Sequence, residues 1–334
     1  AGLNSQATGQ DVVDAVNSTL PVLNGDLHRA VFEAMRGARG AVRTHMNAKR
    51  GLNSGDGMDV DGNAWVKAFG SWVDQDDDNG ALGYSADSYG VVLGADADVT
   101  DRATIGAAFA YTTTDIDGDG VRSHDADIDS YEAILYGSYS LGNDITVGWQ
   151  ADIATHDNDI ERNIPFMGLT ARADYDSWSA HVGLDVEKAY AIGKDTTFTP
   201  SVRLDYSYID EDGYIETGAG ALNLTVEGID SDELIVTLDG KISHEIAAKA
   251  TLTANLGVGY DLLADEETVA STFAGLPGVP FNTTGIDPSS LVVEGGAGVE
   301  IGDRDGVRVT LRYDFEGRED LTNHSASLKV NVPF

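Results

Sequence analysis

Ile145-Thr146-Val147-Gly148-Trp149-Gln150-Ala151-Asp152-Ile153 decides how this chain folds. Ile145, Val147, Trp149, Ala151 and Ile153 are apolar, and Thr146, Gly148, Gln150 and Asp152 fall between them. Successive side chains of an extended strand point to opposite faces, so this period of two predicts a strand with one apolar and one polar face. The pattern recurs. Ile105, Ala107, Phe109 and Tyr111 alternate with small or polar residues; so do Trp178, Ala180, Val182, Leu184 and Val186, and Leu252, Leu256, Val258 and Tyr260. Val307, Val309, Leu311, Tyr313 and Phe315 alternate with Arg308, Thr310, Arg312 and Asp314.

About twelve such segments begin near residues 63, 83, 102, 127, 144, 172, 196, 231, 249, 289, 305 and 321. Their connections alternate in length. Those at 99–102, 142–144, 193–195, 245–249 and 302–306 are tight, whereas those at 74–82, 115–126, 157–171, 210–230 and 264–288 are long, acidic and Gly-rich. Short turns on one side and long loops on the other are the arrangement of an outer-membrane β-barrel. The expectation is therefore an all-β fold, a 12-stranded antiparallel transmembrane barrel over residues 63–334. Its long loops would be extracellular and its C-terminus periplasmic. A soluble β-sandwich also alternates, but would turn its polar face outward.

Composition agrees with this. No run approaches the roughly 20 apolar residues of a membrane helix, whereas a barrel strand needs only about 9–11, half of them facing lipid. The net charge of -35 excludes a nucleic-acid partner, which requires a basic surface. The chain has no Cys, which excludes disulfides and thiolate chemistry. Its seven His residues are scattered without metal spacing, and no nucleophile elbow is present, so neither metal nor cofactor is expected. Ala1 carries no leader, so the chain reads as mature or as part of something longer.

The first fifty residues differ. Val12, Val16, Leu20, Leu23, Leu27, Val31, Met35, Ala38, Val42 and Met46 recur at helical spacing, interrupted at Pro21 and Asn24-Gly25. This predicts a short helix within 1–25, a passenger remnant or linker; a longer helix over 26–50, with Asp26 as N-cap; and a loop at 51–62. Residues 26–50 carry Arg29, Arg36, Arg39, Arg43, Lys49 and Arg50 against Asp26 and Glu33, a net of +4. Residues 51–334 carry 15 basic and 52 acidic residues. The alternation assigns Asp96, Glu132, Asp152, Asp185, Glu187, Asp205, Glu233, Asp239, Asp261, Glu294, Glu300 and Asp314 to the polar, lumenal face. A basic helix inside an acidic pore is electrostatically sensible, because charges there are screened less than on a surface. The competing reading is an amphipathic helix lying on a membrane or partner.

The final strand carries Ala326, Leu328, Val330, Val332 and Phe334 on one face. It resembles the terminal signature read by the barrel-assembly machinery of Gram-negative bacteria. The order of a helix, Lys49-Arg50, Trp65-Val66-Lys67-Ala68-Phe69-Gly70, a strand with Gly90-x-x-x-Gly94 and a terminal Phe is similar to the translocator domain of classical (type V) autotransporters. The resemblance covers residues 26–334. It implies a barrel whose pore is occupied by the helix and which exports and anchors an upstream passenger. It also implies as partners outer-membrane lipid and lipopolysaccharide, periplasmic chaperones, the barrel-assembly machinery and the protein's own passenger, with the barrel itself a monomer. Some members of that family cut their linker at an Asn about four residues before a Lys-Arg pair. His45 holds that position here, and the nearest candidate is Asn47, followed by Ala48, so the expectation is a non-enzymatic, uncut linker. The alternative is a stand-alone porin or surface barrel with no passenger. Asp115-Ile116-Asp117-Gly118-Asp119-Gly120 opens like a calcium loop, but its twelfth position is Ala126 rather than Glu. It therefore reads as a solvated acidic loop, as does 74–78, with only weak divalent-cation bridging to lipopolysaccharide.

Overall fold

The computed structural model describes residues 8–25, 27–50, 62–78, 80–119, 124–303 and 306–333. The expected N-cap Asp26, the loop 51–61 and Phe334 lie outside the described residues. Helix α1 (Gly9–Asn17) starts at a capping box, in which Thr8 and Asp11 satisfy each other's backbone N–H groups. It is followed by a 3-10 turn at Val22–Gly25 and by α2 (Leu27–Arg50).

Twelve antiparallel strands form one closed sheet. They are β1 (Gly62–Gln75), β2 (Tyr84–Thr100), β3 (Ala103–Gly118), β4 (His124–Gly142), β5 (Ile145–Ile164) and β6 (Leu169–Lys188). They continue as β7 (Thr196–Glu211), β8 (Ile229–Ala247), β9 (Ala250–Asp261), β10 (Leu291–Gly302), β11 (Arg308–Gly317) and β12 (Leu321–Pro333). The sheet closes where β1 pairs with β12, from Asn63 opposite Pro333 to Gln75 opposite Leu321. Tyr190–Ala191 adds a short pairing beside β7. The tight turns gather at one rim, called here the turn rim, and the longer connections at the other, the loop rim.

Outside and inside follow the alternation. Leu93, Phe109, Leu135, Ile153, Leu184, Leu204, Leu256 and Leu311 are exposed on the outer face. Towards the loop rim the outer face carries aromatic pairs: Trp72 with Tyr89, Tyr111 with Tyr131 and Trp178 with Tyr208. An apolar band edged by aromatic residues is the surface a bilayer selects.

Two stretches that read as loops are strand. Residues 115–118 belong to β3, and most of 157–171 belongs to β5 and β6. The period of two continues there with its polarity reversed. Ile116, Ile128 and Ile160 turn inward and are buried, while Asp115, Asp127 and Asp159 turn outward. Register places Asp87, Asp115, Asp127, Asp159 and Asp174 side by side across β2 to β6. Such a row tolerates water but not hydrocarbon, so this part of the wall stands beyond the aromatic band. The connections 212–228 and 262–290 fold further into a four-stranded sheet of Tyr214–Ile215, Leu224–Val226, Thr268–Phe273 and Phe281–Thr284. Its small core holds Leu224, Val226 and Val269, with Phe273 stacked on Phe281.

The glycine spacing in β2 has a steric cause. Phe69 lies opposite Gly90 and Trp65 opposite Gly94. A Cβ at Gly90 would sit 2.4 Å from the Phe69 ring, and one at Gly94 would sit 2.4 Å from the Trp65 ring. The glycines let both rings lie flat on the inner wall, where they meet Ala38, Ala41 and Val42 of α2. A second cluster near the loop rim joins Leu27, Val31, Phe32 and Met35 to Tyr84, Ile116, Ile128 and Ile160. Helix α2 therefore packs against β1 to β5.

The outer face yields a test. Leu135→Arg, in the middle of the apolar band, should cost about 2–4 kcal/mol of folding free energy in vesicles, and Thr155→Arg, opposite Tyr131 in the aromatic band, about 0–1 kcal/mol. Urea titration in lipid measures both.

Candidate functional site

The lumen is lined by the inward side chains of every strand, and α2 supplies its centre. Arg36 donates to Glu233 at 2.9 Å and to Glu33 at 3.0 Å, and lies 3.6 Å from Glu316. Arg318 adds a second donor to Glu233 at 2.9 Å and lies 3.6 Å from Asp261. One helical turn on, Arg39 donates to Asp152 at 3.1 Å and to the Ser207 hydroxyl at 3.1 Å, with Glu132 at 3.5 Å. His181 sits 2.8 Å from Asp152 and 3.2 Å from Asp205, and Arg203 joins Asp205 to Glu294 at 2.9 Å. Nearer the turn rim His45 meets Asp96 and stacks on Trp65. Tyr136 donates to Asp96 at 3.1 Å and accepts from the Trp65 indole at 2.8 Å.

Near the loop rim the entering chain is held differently. Arg29 donates to the Asp265 carbonyl at 3.3 Å. His124 Nδ1 accepts the Leu23 N–H at 3.3 Å. Arg162, fully buried, holds Glu216 and donates to the carbonyls of Ser18 and Leu222, both at 2.9 Å. One guanidinium thus ties the segment before α2 to the small outer sheet. Outside the membrane span, partial burial and then the carboxylates of Asp77, Asp74 and Asp76 raise the Asp119 pKa above its ordinary value.

Asp185, Glu187, Asp239 and Glu300 line an open chamber on the far side of α2, with Arg43 facing them from the helix. Asn255 donates to Asp239 at 2.8 Å, Thr310 donates to Glu300 at 3.2 Å, and Arg312 donates to both oxygens of Asp314. Asn47, Ala48, Lys49 and Arg50 form the last turn of α2, and their side chains lie outside the described residues. Leu328 and Val332 face outward on β12, with Val330 partly covered. The acidic count hid several lumenal cations: Lys67, Arg203, Arg308, Arg312, Arg318 and Lys329. Five of these stand between apolar residues in the alternation and were readable by position. Arg318 follows its strand, and its place beside Glu233 had no sequence signal.

A closed twelve-stranded sheet, apolar outside and ionised inside around a helix, defines a transmembrane translocator barrel. Residues 64–314 match the model of the Autotransporter beta-domain family, and the chain belongs to that family. The chain is 25% identical over 316 residues to outer membrane protein B of Rickettsia prowazekii (strain Madrid E), a match covering 86% of this chain and 18% of that protein. It is 28% identical over 297 residues to outer membrane protein A of Rickettsia rickettsii, covering 85% of this chain and 13% of that protein. The chain thus spans less than a fifth of these relatives. Among solved structures it is similar to the translocator domain of autotransporter NalP from Neisseria meningitidis, with a TM-score of 0.67 at 18% identity, covering 89% of this chain and 98% of that one. The β domain of the Bordetella autotransporter BrkA gives a TM-score of 0.57 at 15% identity, covering 81% of this chain and 98% of that one. The protein is an outer-membrane autotransporter translocator domain, and the family it matches is a transport module rather than an enzyme.

The charge centre around Arg39 can be tested. Arg39→Ala strands Asp152 and Glu132 in a buried site and should destabilise the barrel by about 3–5 kcal/mol. Adding Glu132→Gln should recover part of that loss. Thermal unfolding in detergent measures both steps.

Proposed function

We propose that the barrel exports a passenger joined to its N-terminal side and then anchors it at the cell surface, with α2 as the tether. In this reading the loop rim faces the exterior and the turn rim, with the C-terminus, faces the periplasm. The observation that carries it is the course of α2. Its first turns lie by the loop rim, where Leu23 reaches His124 and Arg29 reaches Asp265, and its later turns lie by Asp96 and Asn63 at the opposite rim. A chain arranged so brings the segment between α1 and α2 out on the loop side, where a passenger joined upstream would emerge. The basic residues Arg29, Arg36, Arg39, Arg43, Lys49 and Arg50 serve the tether by neutralising lumenal carboxylates. Residues 1–25 are then the remnant or linker next to the passenger, and 63–334 the pore domain.

Insertion uses the barrel-assembly machinery, with periplasmic chaperones upstream and the terminal pattern Leu328, Val330, Val332 and Phe334 as its signal. Lipid and lipopolysaccharide surround the folded monomer, and the outward aspartates face the headgroup side. No enzymatic step is assigned. His45, at the place where self-cutting relatives carry Asn, is stacked on Trp65 and committed to Asp96. The stand-alone porin is disfavoured by the family match.

Two measurements test the reading. Removing residues 1–50 should raise single-channel conductance in planar bilayers several-fold over the full chain, and an unchanged small conductance overturns the tether in the pore. The intact mass of the purified chain should match an uncut linker, whereas a fragment beginning at Ala48 would restore self-cleavage at Asn47.

A further inference from the structure

The chamber left beside α2 has a volume of about 800 Å³ and is lined at one end by the turn-rim residues Arg102, Asn143, Lys194 and Lys249. Its opposite wall is formed by β11, β12 and β1, which includes the seam closing the barrel. Across that seam Lys67 of β1 stands directly opposite Lys329 of β12. Both side chains line the chamber and are buried, with 4% and 3% relative exposure. Like charges directly opposite each other on paired strands destabilise a sheet. Neither ammonium has a hydrogen bond or ion pair with any other described residue.

The cations around them compound the excess. Arg308 lies near Lys329 on the neighbouring strand, with its Nε and Nη1 without hydrogen-bond partners among the described residues and only Glu300 in reach, at 3.9 Å. Arg43 faces the same chamber from α2. The nearby carboxylates are already committed. Asp314 accepts both bonds from Arg312, and Glu300 accepts from Thr310. A protein of net charge -35 thus sets four cations around one solvent-accessible space, of which Arg308 has a carboxylate only at 3.9 Å and Lys67 and Lys329 have none within ion-pair distance among the described residues. Burying charge without a partner costs several kcal/mol per ion, and an oxyanion offers acceptors to several donors at once.

We propose that Lys67, Lys329, Arg308 and Arg43 form a binding site for a small phosphate-class oxyanion that enters from the turn rim and bridges the β1–β12 seam. Bound there, the anion accepts from both lysines and replaces repulsion across the closing pair of strands with two attractions. Access is from the lumen, because the outer faces of β1 and β12 are apolar, so the source is a soluble anion rather than a lipid headgroup.

The test uses the full chain in non-ionic detergent, exchanging chloride for inorganic phosphate at constant ionic strength. Phosphate should raise the thermal midpoint saturably and broaden the phosphorus-31 resonance. Lys67→Met and Lys329→Met should each raise the half-saturating concentration at least tenfold. The double variant should lose the response, yet melt at or above the native midpoint in chloride, because the repelling pair is gone. Lys329→Arg, which keeps the charge, should bind within a few-fold of native. No saturable effect on the native chain, or an equal effect on the double variant, overturns the proposal.

Discussion

A sheet in hydrocarbon cannot leave an edge, because each unpaired N–H or C=O there costs several kcal/mol. Pairing of β1 with β12 is therefore the contact on which the rest of this structure depends. It joins segments at opposite ends of the barrel sequence. Once it forms, the two-residue period has only one outcome at every strand. One set of side chains meets lipid and the other is enclosed, and no slip of a single residue is tolerated without exchanging the two. The lumen that results is narrow enough for a single helix to reach several strands at once. Arg36 and Arg39 between them touch carboxylates on β4, β5, β8 and β11.

Charge inside this enclosure is organised by side rather than averaged. Carboxylates on β4, β5, β8 and β11 meet the helix arginines directly. Cations collect on β11, β12 and β1, across the chamber. Apolar packing of α2 is concentrated on the β1–β5 wall, where Trp65, Phe69 and Tyr136 line the contact. The helix is thus held by contact on one side and by ion pairs on the flanks, and the remaining face stays wet. Such an asymmetric seating leaves water beside the helix while it remains attached.

Much of this was legible in the residues. Alternation marked all twelve strands, because a wall between lipid and water must separate its side chains at every second position. Asp96, Asp152 and Glu233 could be placed on the inner face by counting from their apolar neighbours. Phe69 and Trp65 together with Gly90 and Gly94 could be noticed as a motif, but not explained until register set ring against glycine. What misled was acidity. Around Asp115 and Asp159 the period of two persists, yet a rule that expects apolar residues outside reads those segments as loop. Pairings such as His45 with Asp96, or Arg162 with Glu216, join residues 51 and 54 positions apart. No local pattern carries them.

The seating of α2 also has a kinetic consequence. Most of its apolar partners lie on the strands that follow it most closely in the chain, β1 to β5, so most of its hydrophobic contacts close comparatively short loops. Contacts near in sequence form early, because little chain entropy is lost in making them. The β1–β12 pairing spans the whole barrel and belongs at the other extreme. Helix and first hairpins can then assemble as a half-shell, its aromatic lining already shielded, while the last strands are still arriving. The helix would serve as a mandrel, fixing the curvature of the wall before the wall is complete.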